Sequence, residues 1–277
     1  MTALFVLIAA IGLLPLTVGW ARLAPGGSRG WATWLPVSAI LCALAFSLTF
    51  LIQELGLVVP KALVPGLDPI LYHNDHGWRG EAPIAELLQG SGAVATLLSG
   101  LFFLWLAGRI GRERAAWRLF AFWMAFQGLF QSLSQWAVGS LIPGNDVGRA
   151  LAHLGAGTFA KAALLLVAVA AMFVAGRTLA RRYPLAAPDR RAAFLLLATL
   201  GAATLLIIPF RIPREPVEVV LIPLVVHLVG LGWTTLGLTA SDAPRAHGRV
   251  PSIAAPAAAL VLLLAFFQLV LRPGVAF

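Results

Sequence analysis

Eight stretches of about twenty predominantly apolar residues succeed one another along the chain, at approximately 2–21, 34–59, 88–108, 117–141, 152–176, 192–210, 216–239 and 252–271. A hydrocarbon core about 30 Å thick is crossed by roughly 20 helical residues rising 1.5 Å each, so each stretch has the length of a membrane span. Unbroken apolar runs select helices over a transmembrane barrel, whose strands alternate apolar and polar residues over about ten positions. The first stretch has no basic segment ahead of it, which marks a retained helix and not a cleaved signal. The expected fold class is all-α: a polytopic integral membrane helical bundle of about eight transmembrane helices, a single transmembrane domain over residues 1–277.

Composition bears on the partners. Hydrophobic residues make up 60% of the 277 and charged residues 11%, a balance that calls for lipid as the main solvent. The net charge of +9 sits in short connections and forms no soluble basic face, so the bilayer is the expected partner and nucleic acid is not. Cys42, the single cysteine, lies inside the second stretch and reads as a small packing residue.

Basic residues in alternate connections set the orientation, because Lys and Arg are retained in the cytoplasm. Connections after stretches one, three, five and seven hold 13 of them, including Arg22, Arg29, Arg109, Arg112, Arg114, Arg177, Arg181, Arg245 and Arg249. The opposite side holds 6: Lys61, Arg79, Arg149, Arg211, Arg214 and Arg272. The bias predicts an integral protein of the bacterial cytoplasmic membrane with both termini on the non-cytoplasmic side.

Polar residues inside a span cost several kcal/mol unless they face the bundle interior, so each one marks a candidate site. Gln53 and Glu54 fall in the second stretch, and Gln127, Gln131 and Gln135 follow at i+4 spacing in the fourth. Steps of 4, 3, 4 and 4 put Asp146, Ala150, His153, Gly157 and Lys161 along one helical face at the fifth stretch, with Asp146 at its approach, just before the helix proper. The expectation is an intramembrane polar network of these groups with His227, in which Lys161 pairs with Glu54. Such groups also serve purely to bond helices together.

The one long connection, about 60–87, is rich in Pro, Gly, Asp and Asn and reads as irregular backbone. Its His73-Asn74-Asp75-His76 run offers two potential metal ligands, or a polar turn anchored at the interface by Tyr72 and Trp78. His247 reads as a solvated loop residue.

Over roughly residues 40–155 the order of features resembles the site-2 protease family of intramembrane zinc metalloproteases. Gln53-Glu54-Leu55-Gly56-Leu57 stands where that family has His-Glu-x-x-His, Gly90-Ser91-Gly92-Ala93 opens a small-residue helix, and Ser140 to Gly148 stands at its Asn-x-x-Pro and Asp-Gly region. The resemblance implies a protease-like core at about 34–176 with additional helices at about 192–271. It implies Glu54 as catalytic general base and Asp146 as third zinc ligand, while Gln53 and Leu57 replace both His ligands. Without them no zinc-bound water is made acidic enough to attack a peptide bond. The family's catalytic residues also lie toward the cytoplasm, opposite to where the charge bias puts Glu54 and Asp146.

Three functions are therefore expected in turn. One is a non-proteolytic relative, a pseudoenzyme, whose polar cavity binds a transmembrane segment or a lipid. Another is a membrane metallohydrolase in which His73 and His76 reach Glu54, Asp146 or His153 and hold zinc. The third is a small-solute transporter with a path along Lys161, His227 and the Gln stripe.

Overall fold

The computed structural model describes residues 2–26, 31–111, 113–184, 188–241 and 250–277. Arg29, Arg112, Arg245, Arg249 and His247 lie outside the described residues.

Among the described residues ten α-helices run α1 (Thr2–Arg22), α2 (Leu35–Ala62), α3 (Ile84–Leu87), α4 (Ser91–Ala107), α5 (Ala115–Gly139), α6 (Asp146–His153), α7 (Thr158–Arg182), α8 (Arg190–Arg211), α9 (Ile222–Leu238) and α10 (Ala254–Phe266). Wide π turns lead into α9 at Val217–Leu221 and out of α10 at Phe267–Leu271. Among the described residues six helical segments are long and apolar enough to cross a membrane: Leu35–Ala62, Ile84–Ala107, Thr158–Arg182, Arg190–Arg211, Glu218–Leu238 and Ala254–Leu271. The molecule is thus a membrane-type helical bundle.

The outer helices are apolar on the faces they leave uncovered. Helix α10 buries none of its residues, and Leu262 and Leu269 are 70% and 76% exposed. Such surface is stable against hydrocarbon and not against water. Helix α5 is the reverse, with Phe122, Trp123, Phe126 and Phe130 completely buried and edge-to-face pairs at 5.0 and 5.1 Å. It is the central post of the bundle. Its backbone meets α4 closely because both helices carry glycine there: a Cβ on Gly100 would come within 2.6 Å of the Leu129 amide nitrogen. Small residues at crossing points let membrane helices approach to backbone contact.

Two expectations need correction. The 60–87 connection is not irregular throughout, since β1 (Asp68–Tyr72) and β2 (Asp75–Arg79) form a tight hairpin paired Tyr72↔Asp75 at its tip. A third strand, β3 (Val275–Ala276), returns from the C-terminus and pairs Leu71↔Val275, giving the order β2-β1-β3. Leu71 and Val58 pack with Phe210 and Phe267, so the small sheet caps the converging ends of α2, α8 and α10.

The fifth apolar stretch is likewise broken. Helix α6 stops at His153, Gly155 turns the chain with a φ of 65°, and α7 starts only at Thr158. Glycine adopts that left-handed conformation without steric penalty. The stripe from Asp146 to Lys161 therefore spans two helices, and His153 is exposed at the first one's end.

Candidate functional site

Glu54 and Lys61 lie seven residues apart on α2, two helical turns, and so share a face. That face is covered by β2, where His76 and Trp78 alternate with Gly77 and project together. His76 Nδ1 lies 2.9 Å from Glu54 Oε2, and Lys61 Nζ lies 4.6 Å from the centre of the Trp78 ring. A third element closes the cluster: Gln89, in the short 3-10 turn Leu88–Gly90, reaches His76 Nε2 at 2.9 Å and Lys61 Nζ at 3.4 Å with the same oxygen.

These contacts fix the protons. Lys61 can only donate, so Gln89 presents its carbonyl oxygen, and His76 Nε2 must then be the N–H that donates to it. The remaining proton lies between His76 Nδ1 and Glu54, a coupled pair buried with side chains 8% and 6% exposed. Burial by itself pulls the His76 imidazole down, yet the hydrogen bond and negative charge of Glu54 outweigh it and hold its pKa above the ordinary value.

Around this core stand further charges. Arg149 of α6 makes a forked bond to Glu86 of α3 at 2.7 and 2.6 Å, and its guanidinium lies 5.3 Å from the Trp78 ring on which Lys61 also sits. Asp146 opens α6 behind Asn145, whose side chain accepts from the Val147 amide at 3.1 Å. Burial raises the Asp146 carboxyl, opposed by the charges of His76, Lys61 and Arg149 within electrostatic reach. Among the described residues its carboxylate forms no hydrogen bond or ion pair.

Next to the cluster lies a cavity of about 310 Å³, walled by α2, α5, the start of α6 and the chain entering α9. Gln53 forms its floor and accepts hydrogen bonds from Gln131 Nε2 and Gln135 Nε2, both at 2.5 Å. Both donors therefore turn the same kind of amide atom away from Gln53. The Gln131 and Gln135 oxygens and the Ser134 hydroxyl are buried without a partner. Helix α4 approaches this floor through Gly92, where a Cβ would stand 3.0 Å from Gln53 Cγ and 2.7 Å from Leu57 Cγ.

The other expected site residues are distributed differently. Gln127 belongs to a separate buried chain: its amide donates to His227 Nε2 at 2.9 Å, His227 Nδ1 meets Thr204 Oγ1 at 2.9 Å, and Thr204 donates to the Leu200 carbonyl. Because the Thr204 proton goes to Leu200, His227 Nδ1 carries the hydrogen, and the relay bonds α5, α8 and α9 together as helix glue while the Gln127 oxygen is buried without a partner. Lys161 sits in the first turn of α7 and is not Glu54's partner, a place taken by His76.

His73 occupies the hairpin tip and does not join His76. It is buried beside the Ile212 backbone, and its charged neighbours are Arg214, Arg272 and Arg211. Burial first, then those cations, lower its pKa. Adjacent contacts pin the tip to the end of α8, with Asn74 Nδ2 donating to the Phe210 carbonyl at 2.5 Å and Asp75 pairing with Arg214.

The expected convergence of His73, His76 and Asp146 on a metal is therefore not met. Among the described residues no three His, Cys, Asp or Glu side chains form a group that could hold a metal ion. At Gln53 and Leu57, where the resemblance would put His ligands, the Gln53 oxygen is spent on two amides and Leu57 is packed against Gly92. Both His76 nitrogens are already engaged. Zinc does not fit these residues.

Sequence reasoning missed Lys61, Gln89, Trp78 and Arg149 as members of the cluster. The i, i+7 spacing of Glu54 and Lys61 was a usable signal, and so was a Gln at the head of an apolar stretch. The reach of Arg149 was not, since it depends on where α6 docks.

No protein-family description, characterised protein or solved structure matches this chain.

Proposed function

We propose that the chain is a non-proteolytic membrane protein, a degenerate relative of the site-2 proteases, whose cavity receives part of a membrane component. The observation that carries this reading is the 310 Å³ cavity itself, with Gln53, Gln131, Ser134 and Gln135 on one side and Leu221, Ile222 and Val225 on the other. Cavities of about 300 Å³ and upward with a few convergent polar groups are the usual form of ligand sites. The exposed lining is predominantly apolar with a few polar groups, which suits part of a membrane component.

The family relationship is supported by the mutual placement of Glu54 and Asp146. They come from segments 92 positions apart in the chain, yet lie close enough for their charges to interact across the His76 cluster. What is missing is the metal-binding pair, and with it the means to make hydroxide at neutral pH. Glu54 is instead committed to His76, which holds the hairpin down. The hydrolase and transporter readings have less behind them, because His73 turns away and Lys161 lies outside the buried clusters.

The same proposal includes eight spans in a bacterial cytoplasmic membrane, counting α1 and α5, with both termini outside. Helices α1 and α5 have the necessary length at 21 and 25 residues.

A photoreactive amino acid in place of Val225, at the cavity wall, tests the reading in intact membranes. A cross-linked product distinct from that formed at lipid-facing Leu205 is expected. An identical product spectrum at both positions would mean the cavity sees only bulk lipid and would refute the proposal.

A further inference from the structure

Another hollow lies on the side of the bundle. Helix α1 is seated on α9 almost backbone to backbone, since a Cβ on Gly19 would stand 2.7 Å from the Leu236 amide nitrogen. Helix α8 reaches α9 through the Thr204–His227 contact, several turns from its own start. Both helices lean on α9, and a crevice of about 400 Å³ lies between them, lined by Leu16, Thr17, Trp20 and Ala21 of α1 and by Ala193 and Leu197 of α8. The lining is almost wholly apolar. Ala193 is buried at its floor, while Leu197 at 47% and Trp20 at 37% exposed leave it open sideways to the surrounding hydrocarbon. At about 30 Å³ for a water- or methylene-sized group it holds about a dozen of them, most of one acyl chain.

One end of this crevice carries positive charge. Arg190, Ala193 and Leu197 follow at i, i+3 and i+7 along α8, so the arginine stands on the same face as the two lining residues. Its Nε donates to the Trp20 carbonyl at 3.2 Å and its backbone amide to the Ala24 carbonyl at 3.0 Å, which fixes it where α1 ends. The side chain is half-exposed, and among the described residues its Nη groups have no partner. Arg22 follows Ala21 and Arg191 follows Arg190, so two further cations stand close by. Asp189, the acid next to them in the chain, is engaged as the cap of α8 and accepts from the Ala192 amide at 3.0 Å. Along its length the crevice thus passes from aliphatic side chains to Trp20, a residue type favoured at the membrane interface, and then to a net positive end. Its occupant is apolar at one end and anionic at the other.

We propose that the crevice between α1 and α8 binds an anionic phospholipid, of the phosphatidylglycerol type, with one acyl chain along Leu16, Thr17, Ala21 and Leu197 and the phosphate at Arg190. The inference rests on α1 spanning the membrane and is independent of the cavity lined by Gln53. A guanidinium matches a phosphate by parallel N–H donors and keeps its charge at every pH the membrane meets. Choline and ethanolamine head groups bring a cation of their own to a place that already holds Arg22, Arg190 and Arg191. A glycerol head group brings none, so the net negative lipid is the one selected.

The full-length chain in phosphatidylcholine nanodiscs, with trace lipids photoactivatable in the acyl chain and carrying glycerol, choline or ethanolamine head groups, provides the test. Labelling at residues 16–21 and 193–197 should be about fivefold stronger with the glycerol head group, the ratio expected for one arginine facing an anionic lipid. Labelling at Leu166 and Val167, 71% and 63% exposed on α7, is the bulk-lipid reference and should show no such preference. Arg190→Gln should abolish the preference and Arg190→Lys should keep most of it, each with the wild-type elution profile; Ala21→Trp, which fills the crevice from an exposed position, should abolish labelling there with all three lipids. A preference equal to that on α7, or one that survives Arg190→Gln, would overturn the site while leaving α1 in the membrane. No labelling of α1 by any lipid would refute the span and the site together. A photoreactive amino acid at Leu197 that captures a second copy of the chain or another protein in intact membranes, in place of lipid, would also overturn the assignment.

Discussion

His76, on a short surface hairpin, and Glu54, inside a 28-residue apolar helix, share one proton across 2.9 Å. The contact ties the hairpin to the bundle and places a charged or polar pair where lipid alone would not tolerate it. Its strength depends on both partners, because breaking a buried pair leaves the survivor uncompensated.

Glu54→Gln should therefore lower stability by about 3–5 kcal/mol, whereas Glu54→Gln combined with His76→Leu should recover part of the loss. Thermal unfolding of the detergent-purified variants measures this. A double variant no better than the single one would show that the pair is not the unit of stabilisation.

Two histidines should give the fold opposite pH limbs. His76 has a raised pKa in the folded chain, so its contribution is complete below about pH 6.5 and fades as pH rises through the folded value. His73 has a lowered pKa, so stability is lost as pH falls below about 6.5, where the unfolded chain binds a proton the folded one refuses. The melting point is expected to peak near about pH 6.5. His73→Gln should flatten the acid limb only, and His76→Gln the alkaline limb only.

Packing at Gly100 admits no side chain, since its Cβ would stand 2.6 Å from the Leu129 amide of α5. Gly100→Val should cost about 1–3 kcal/mol through forced separation of α4 from α5. Gly144 has open space around its Cβ position, so Gly144→Ala should leave stability within about 0.5 kcal/mol of wild type. Similar losses at both sites would contradict the close helix contact.

Elemental analysis of the purified chain should find zinc well below one equivalent, unchanged by His76→Ala. One tightly held equivalent that disappears with His76→Ala would restore a metal centre.

Cys42 is buried, so a Cys42→Ala background carries no cysteine and serves for topology mapping. A cysteine introduced at Phe277 should react with a membrane-impermeant maleimide in intact cells. Protection until lysis would reverse the orientation.

How much of this was legible in the sequence depends on the range of the interaction involved. The existence and near-ends of the long helices follow from apolar run length, and α2 and α8 match the expected stretches to within three residues. The Gln53, Gln131 and Gln135 association was also readable, because i+4 amides on an otherwise apolar helix have nowhere to go but inward. The break at Gly155 was not, for one glycine among small residues looks the same whether it turns the chain or lies within a helix. Hairpin β1–β2 was hidden for a related reason: twelve residues, 68–79, with one proline and two histidines carry a weak alternation, and β3, which pairs with β1, is about two hundred positions away.

The apolar content of this chain, by itself, determined that it is a bundle of membrane helices with a few polar groups turned inward, since each span must satisfy its own backbone and exclude charge from lipid. Only the tertiary structure decided which polar groups meet. Glu54 takes His76 and not Lys161, and His73 parts from His76, because a hairpin tip and a helix end select partners by position in space, and sequence spacing beyond a few turns says nothing of that position.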